Sequence, residues 1–188
     1  MLVLRFKAVP VESCKFFFEP TEDIYRKLES GDEADLQYVA SSIAIHIGVI
    51  LIPTVKYDWG LKMEPEVAGQ IRSAVYLPYI QIPFFHVGKK YSLGGILAHE
   101  MTHALLCSKG ISLEDSKENE LLTDLTAVFV GLGKLLLNGY LSEGGGWGYL
   151  SPDLIAYCFK KVCSLYAIDI VTAMENLTSE ARELVEHL

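Results

Sequence analysis

The chain has 188 residues, a hydrophobic content of 51% and a formal net charge of −8. That length suits one domain with a proper core. The acidic balance, without any Lys/Arg cluster, argues against nucleic acid and anionic membranes as partners. No segment holds the roughly 18 uncharged apolar residues that a membrane span needs.

In chain order, the alternation over Met1–Val9 predicts a first strand. The segment lacks a basic stretch before its apolar run, so it does not read as a secretory signal. The four cysteines are not spaced as a disulfide framework, and the expected compartment is the cytoplasm with reduced thiols. Thr21 predicts an N-cap for a helix over 22–30 that stops at Gly31. A longer helix is expected over 32–47, with acidic residues in its first turn as the helix dipole favours. His46, near its end among aliphatics, reads as a core or capping residue. Residues 49–58 are β-like, with Pro53 marking an edge or bulge. A loop follows over 59–69, then one or two strands around Pro78 within 70–83. Together these predict an α+β fold, a small and mostly antiparallel sheet packed on helices. The free edge of the last strand could pair with a substrate backbone. His86 lies in the next linker, where a surface or packing role is expected.

The stretch from Leu93 to Lys109 predicts a helix, with Ser92 as N-cap and Gly110 just past its end. It carries His99-Glu100-x-x-His103. On a helix the two histidines lie about 6 Å apart along one face, close enough to share a metal ion. Glu100 sits about 100° round from His99, beside such an ion, where a carboxylate can take a proton from water. Cys107 is one turn further on, too far from His99 to share the ion.

A second helix is predicted over 116–137, stopped by Asn138-Gly139. Glu120 and Asp124 are one turn apart on it, and the same stripe continues through the small residues Ala127 and Gly131. This pattern fits close approach to the metal helix. Glu120 is assigned as third ligand rather than Glu118, because only Glu120 has an acid one turn on. Asp124 would accept a hydrogen bond from the distal nitrogen of a liganding histidine, with His99 the expected donor.

His99-Glu100-Met101-Thr102-His103, followed seventeen residues after His103 by Glu120-x-x-x-Asp124, resembles the gluzincin zinc metallopeptidases, the thermolysin-like superfamily. The strand-like residues 79–83 before the helix resemble the small gluzincin domains, ImmA-type peptidases among them. The likeness covers about residues 79–133. It implies a zincin-like fold, one Zn2+ held by His99, His103 and Glu120, Asp124 behind a ligand, and Glu100 as the catalytic base in peptide hydrolysis. The third histidine of the metzincins is absent. So is the downstream histidine that stabilises the oxyanion in thermolysin, since His187 is the only later one. A tyrosine is the expected substitute, with Tyr140, Tyr149 and Tyr157 as candidates.

The segment 139–151 is rich in glycine and aromatic residues, and reads as a cleft flap or a simple linker. Ser151-Pro152 predicts the start of a helix over 152–167. Two shorter helices are expected over 169–176 and 179–188. The whole chain is thus expected to be a single domain, with a core over 1–138 that holds the metal site and a C-terminal helical extension. Its expected function is zinc-dependent hydrolysis of a peptide or protein substrate. The alternative is a non-catalytic zinc-stabilised module that binds a peptide or partner.

Overall fold

The computed structural model describes residues 16–58, 70–73, 78–141 and 149–188. The first strand expected at 1–9, the loop expected at 59–69 and residues 142–148 of the glycine-rich segment lie outside them.

Local signals set the first helices. Helix α1 (Glu22–Glu29) starts at Thr21, whose hydroxyl accepts from the Ile24 amide. Helix α2 (Glu33–Ile47) is capped by the Asp32 carboxylate and ends at Gly48, in the left-handed region with φ 77°. Three strands follow: β1 (Thr54–Asp58), β2 (Gln70–Ser73) and β3 (Pro78–Pro83). On β1, Val55 and Tyr57 are buried while Thr54 and Lys56 are exposed, the alternation of a sheet with one inner face.

The sheet corrects two expectations. It is three-stranded in the order β1-β3-β2, with β1 parallel and β2 antiparallel to β3, so it is mixed rather than mostly antiparallel. The chain between β1 and β3 is long enough for the return that parallel pairing requires. Because β3 is central, both its edges are already paired, and the free edge expected just before the metal helix does not exist there. The sheet is also a minor part of the molecule. The fold is dominated by helices rather than by a sheet with helices laid on it, which overturns the expected α+β, zincin-like arrangement.

A 3₁₀ turn (Phe84–His86) leads into α3 (Lys90–Ser108), the central helix, buried on nearly all sides from Ser92 to Leu106. It packs against α1 and α2 and against α4 (Ser116–Ala127) and α5 (Gly133–Leu141). The helix begins three residues earlier than predicted. Ser92 is therefore inside it, with its hydroxyl 3.0 Å from His86 Nδ1.

The single helix predicted over 116–137 is broken. Val128–Leu132 forms a π turn with Gly131 at φ 94°, and α5 begins after it. Gly131 does not line a contact with α3, as the small-residue stripe suggested. It meets the N-terminal strap instead: a Cβ there would lie 2.1 Å from the Phe16 carbonyl oxygen, and the Phe18 amide donates to its carbonyl at 2.9 Å. Lys134, fully buried, holds the strap with both Glu19 carboxylate oxygens at 2.7 Å.

Asn138-Gly139 does not end the helix either. Asn138 Nδ2 donates to the Tyr25 hydroxyl and the Asn176 carbonyl, and its Oδ1 accepts from the Thr178 amide. A side chain at Gly139 would lie 2.8 Å from the Tyr91 carbonyl oxygen and 3.1 Å from Gly95 Cα. Close approach of α5 to α3 therefore rests on Gly95 and Gly139. The chain closes with α6 (Pro152–Leu165), begun at Ser151 as predicted, then α7 (Ile170–Ala173) and α8 (Ser179–His187). No helix among the described residues is long and apolar enough to cross a membrane.

Candidate metal centre

The centre lies where α3 meets α4. His99 and His103 are one turn apart on α3 and face Glu120 on α4. His99 Nε2 is 2.9 Å from Glu120 Oε2, His103 Nε2 is 3.0 Å from the same oxygen, and the two Nε2 atoms are 3.0 Å apart. Three potential ligand atoms thus form a nearly equilateral triangle. The residues predicted as ligands are the three that the structure brings together, and this group could hold a metal ion. Glu118, the alternative ligand, is exposed in the first turn of α4 and outside the group.

Asp124 is fully buried behind the triangle. Its Oδ1 lies 2.8 Å from His99 Nδ1 and accepts from the Tyr140 hydroxyl, also at 2.8 Å. Its Oδ2 accepts from the amides of Tyr149 and Leu150, each at 3.0 Å. Asp124 therefore lies against His99 as the sequence predicts, and also fixes the segment that leads into α6, which the sequence does not show.

Burial alone would depress the His99 imidazole, yet its hydrogen bonds to Asp124 and Glu120 and the nearby charge of Glu100 raise it to about 10. Burial opposes ionisation of Glu120, but the two histidines outweigh it and hold its carboxyl down at about 2. Asp124 is likewise held below the carboxylate range, its burial outweighed by His99, the Leu150 amide and the Tyr140 hydroxyl. The cluster holds a positive charge strongly, as carboxylates do in a site of low dielectric. Two imidazole nitrogens and one carboxylate oxygen are also a donor set suited to zinc. The residues present fit a divalent cation.

Glu100 is buried on α3 beside His99 but is not one of the three converging groups. The tyrosine candidates separate. Burial and Asp124 push the Tyr140 phenol far above its ordinary range, and its proton is committed to that carboxylate. Tyr157 is half-exposed on α6 with Lys161 Nζ 5.2 Å from its ring centre, and takes no part in the cluster. Tyr149 is 43% exposed, and its ring lies 6.2 Å from that of His99, at 20° to it. Of the three, it combines an exposed side chain with a ring beside that of His99.

Other sequence candidates fall away. His46 Nε2 lies 3.1 Å from the Phe16 carbonyl oxygen, far along the chain, in the core or capping role expected. His86 is buried beside Ser92 and outside the cluster. Cys107 is exposed, and Cys158 and Cys163 are buried free thiols. One contact at the centre gave no sign in the sequence: the Thr123 hydroxyl, on α4, lies 3.2 Å from His103 Nδ1. Comparison of the chain with protein-family models, curated proteins and solved structures gives no match.

Proposed function

We propose that this chain is a zinc-dependent peptidase that uses the gluzincin ligand pattern, with the metal held by His99, His103 and Glu120. The observation that carries the reading is the convergence of His99 Nε2, His103 Nε2 and Glu120 Oε2 to within 2.9–3.0 Å of one another, with Glu100 next to His99 on the same helix. Bound zinc would supply a Lewis acid that polarises a carbonyl and acidifies a water.

The chain's own groups divide the remaining work. Glu100 takes a proton from the attacking water and returns it to the leaving amine. Asp124 holds the His99 ring in one orientation by accepting from Nδ1. Tyr149, exposed and with its ring beside His99, is the donor that steadies the developing oxyanion. This choice among the three tyrosines follows from Tyr140 being committed to Asp124 and Tyr157 standing apart.

The test is digestion of a broad peptide library by the zinc-supplemented wild type and by Glu100→Gln. The substitution keeps the shape of the side chain and leaves the ligand set untouched. General acid–base work is worth about 10²–10⁴-fold, so cleavage should fall by at least about 100-fold while zinc binding is retained. Peptide binding by both proteins with cleavage by neither would instead establish a non-catalytic zinc module.

A further inference from the structure

The Thr123 hydroxyl is shared between two groups. It donates to the Asn119 carbonyl oxygen at 2.9 Å and lies 3.2 Å from His103 Nδ1, in a position with no solvent exposure. A hydroxyl has one proton and two lone pairs. With that proton on Asn119, a lone pair is what Thr123 offers His103. His103 must then donate Nδ1–H, and the lone pair of its Nε2 is left for the point where His99 and Glu120 converge.

We propose that Thr123 is a positioning residue of the metal centre, setting the tautomer and ring orientation of His103 as Asp124 does those of His99. The inference rests on the metal reading of His99, His103 and Glu120 and is independent of peptide hydrolysis. Consecutive residues of α4, about 100° apart in azimuth, thereby serve the two histidines of α3.

The two supports differ in charge, and the difference has a reason. Glu100, Glu120 and Asp124 already place three carboxylates around the site, against the two positive charges of a divalent cation. A further carboxylate at 123 would add a fourth negative charge to a buried position with nothing to neutralise it, at a steep desolvation cost. A neutral hydroxyl orients His103 without that cost. Neutral acceptors bind more weakly than charged ones, so removing Thr123 should do less harm than removing Asp124.

The test uses the full chain with ¹⁵N-labelled histidine, loaded with zinc, as wild type, Thr123→Val and Thr123→Ser. Zinc affinity is read by competition with a chromophoric chelator, and the His103 tautomer from its ring nitrogen shifts and the exchange rate of Nδ1–H. Wild type should show His103 protonated at Nδ1 with a slowly exchanging proton. Thr123→Val, nearly the same shape, should bind zinc about tenfold more weakly and lose the slow exchange, while Thr123→Ser restores both. Valine affinity within about twofold of wild type would overturn the proposal, as would serine as impaired as valine, which would make the role one of packing. If Thr123→Val fails to fold, the wild-type spectrum and the serine variant decide: an Nε2-protonated His103, or loss of affinity in serine, overturns it. A wild type that binds no zinc overturns the metal reading and this one together, whereas normal zinc binding by Thr123→Val overturns this one alone.

Discussion

The Tyr140 hydroxyl donates to Asp124 Oδ1 at 2.8 Å although sixteen residues separate them. On a continuous α-helix those residues would stand about 24 Å apart along the axis. They meet because the chain kinks at the π turn over 128–132, where Gly131 adopts φ 94°. The support of the candidate metal cluster thus depends on a glycine that touches none of its three residues.

Gly131→Ala should therefore damage both stability and the site. A left-handed φ costs a non-glycine residue about 1–2 kcal/mol, and the added Cβ would lie 2.1 Å from the Phe16 carbonyl oxygen, so the strap must move as well. Denaturant unfolding should show a loss of at least about 2 kcal/mol, accompanied by weaker zinc binding. Unchanged stability would mean that the kink is not held by this contact.

Asp124→Ala should weaken zinc affinity by about 10–100-fold, because His99 loses the acceptor on its Nδ1. It should also destabilise the fold. His99, Tyr140, Tyr149 and Leu150 all lose their buried acceptor, and each orphaned donor costs about 1–3 kcal/mol. Tyr140→Phe removes one of these bonds and should cost only about 1 kcal/mol, with a small effect on the metal. Equal effects from the two substitutions would show that Asp124 acts only through Tyr140.

Much of the centre was legible because its information is local. Two histidines one helical turn apart, and a Glu with an Asp one turn on, are spacings that a helix converts directly into geometry. The caps Thr21 and Ser151 act over three residues and were equally visible. What escaped depends on contacts distant in sequence. The apolar pattern over 116–137 continues smoothly through Gly131, and only the strap at Phe16 explains the break. Lys134 interrupts the apolar run of its helix, yet it is buried against Glu19, 115 positions away. Asn138-Gly139 carries a stop signal that tertiary contacts overrule. The sheet was misjudged because strand direction depends on the path of the connection, which strand patterns do not encode.

His86 gives the protein a pH-dependent term separate from the metal centre. Burial, with a smaller push from Lys89, lowers its imidazole to about 4. The folded state thus favours the neutral ring more than the unfolded state does, whose pKa is about 6.5. The resulting stability is fully present above about pH 6.5 and is lost as the pH falls from there to about 4. The shift corresponds to at most about 3 kcal/mol, and solvent reaching the ring reduces that. His86→Gln cannot titrate, so its unfolding free energy should fall less than that of wild type between pH 7 and pH 4.5. Parallel falls would rule this term out.

The central claim is that α3 and α4 together form one open zinc site, and the most direct measurement is zinc stoichiometry combined with X-ray absorption at the zinc edge. The expected result is one zinc per chain, with two imidazole nitrogens at about 2.0–2.1 Å, one carboxylate ligand and an exchangeable oxygen. His99→Ala, His103→Ala and Glu120→Ala should each disrupt that shell. Zinc that fails to bind, that keeps the same shell after those substitutions, or that is enclosed by four protein ligands would contradict the account.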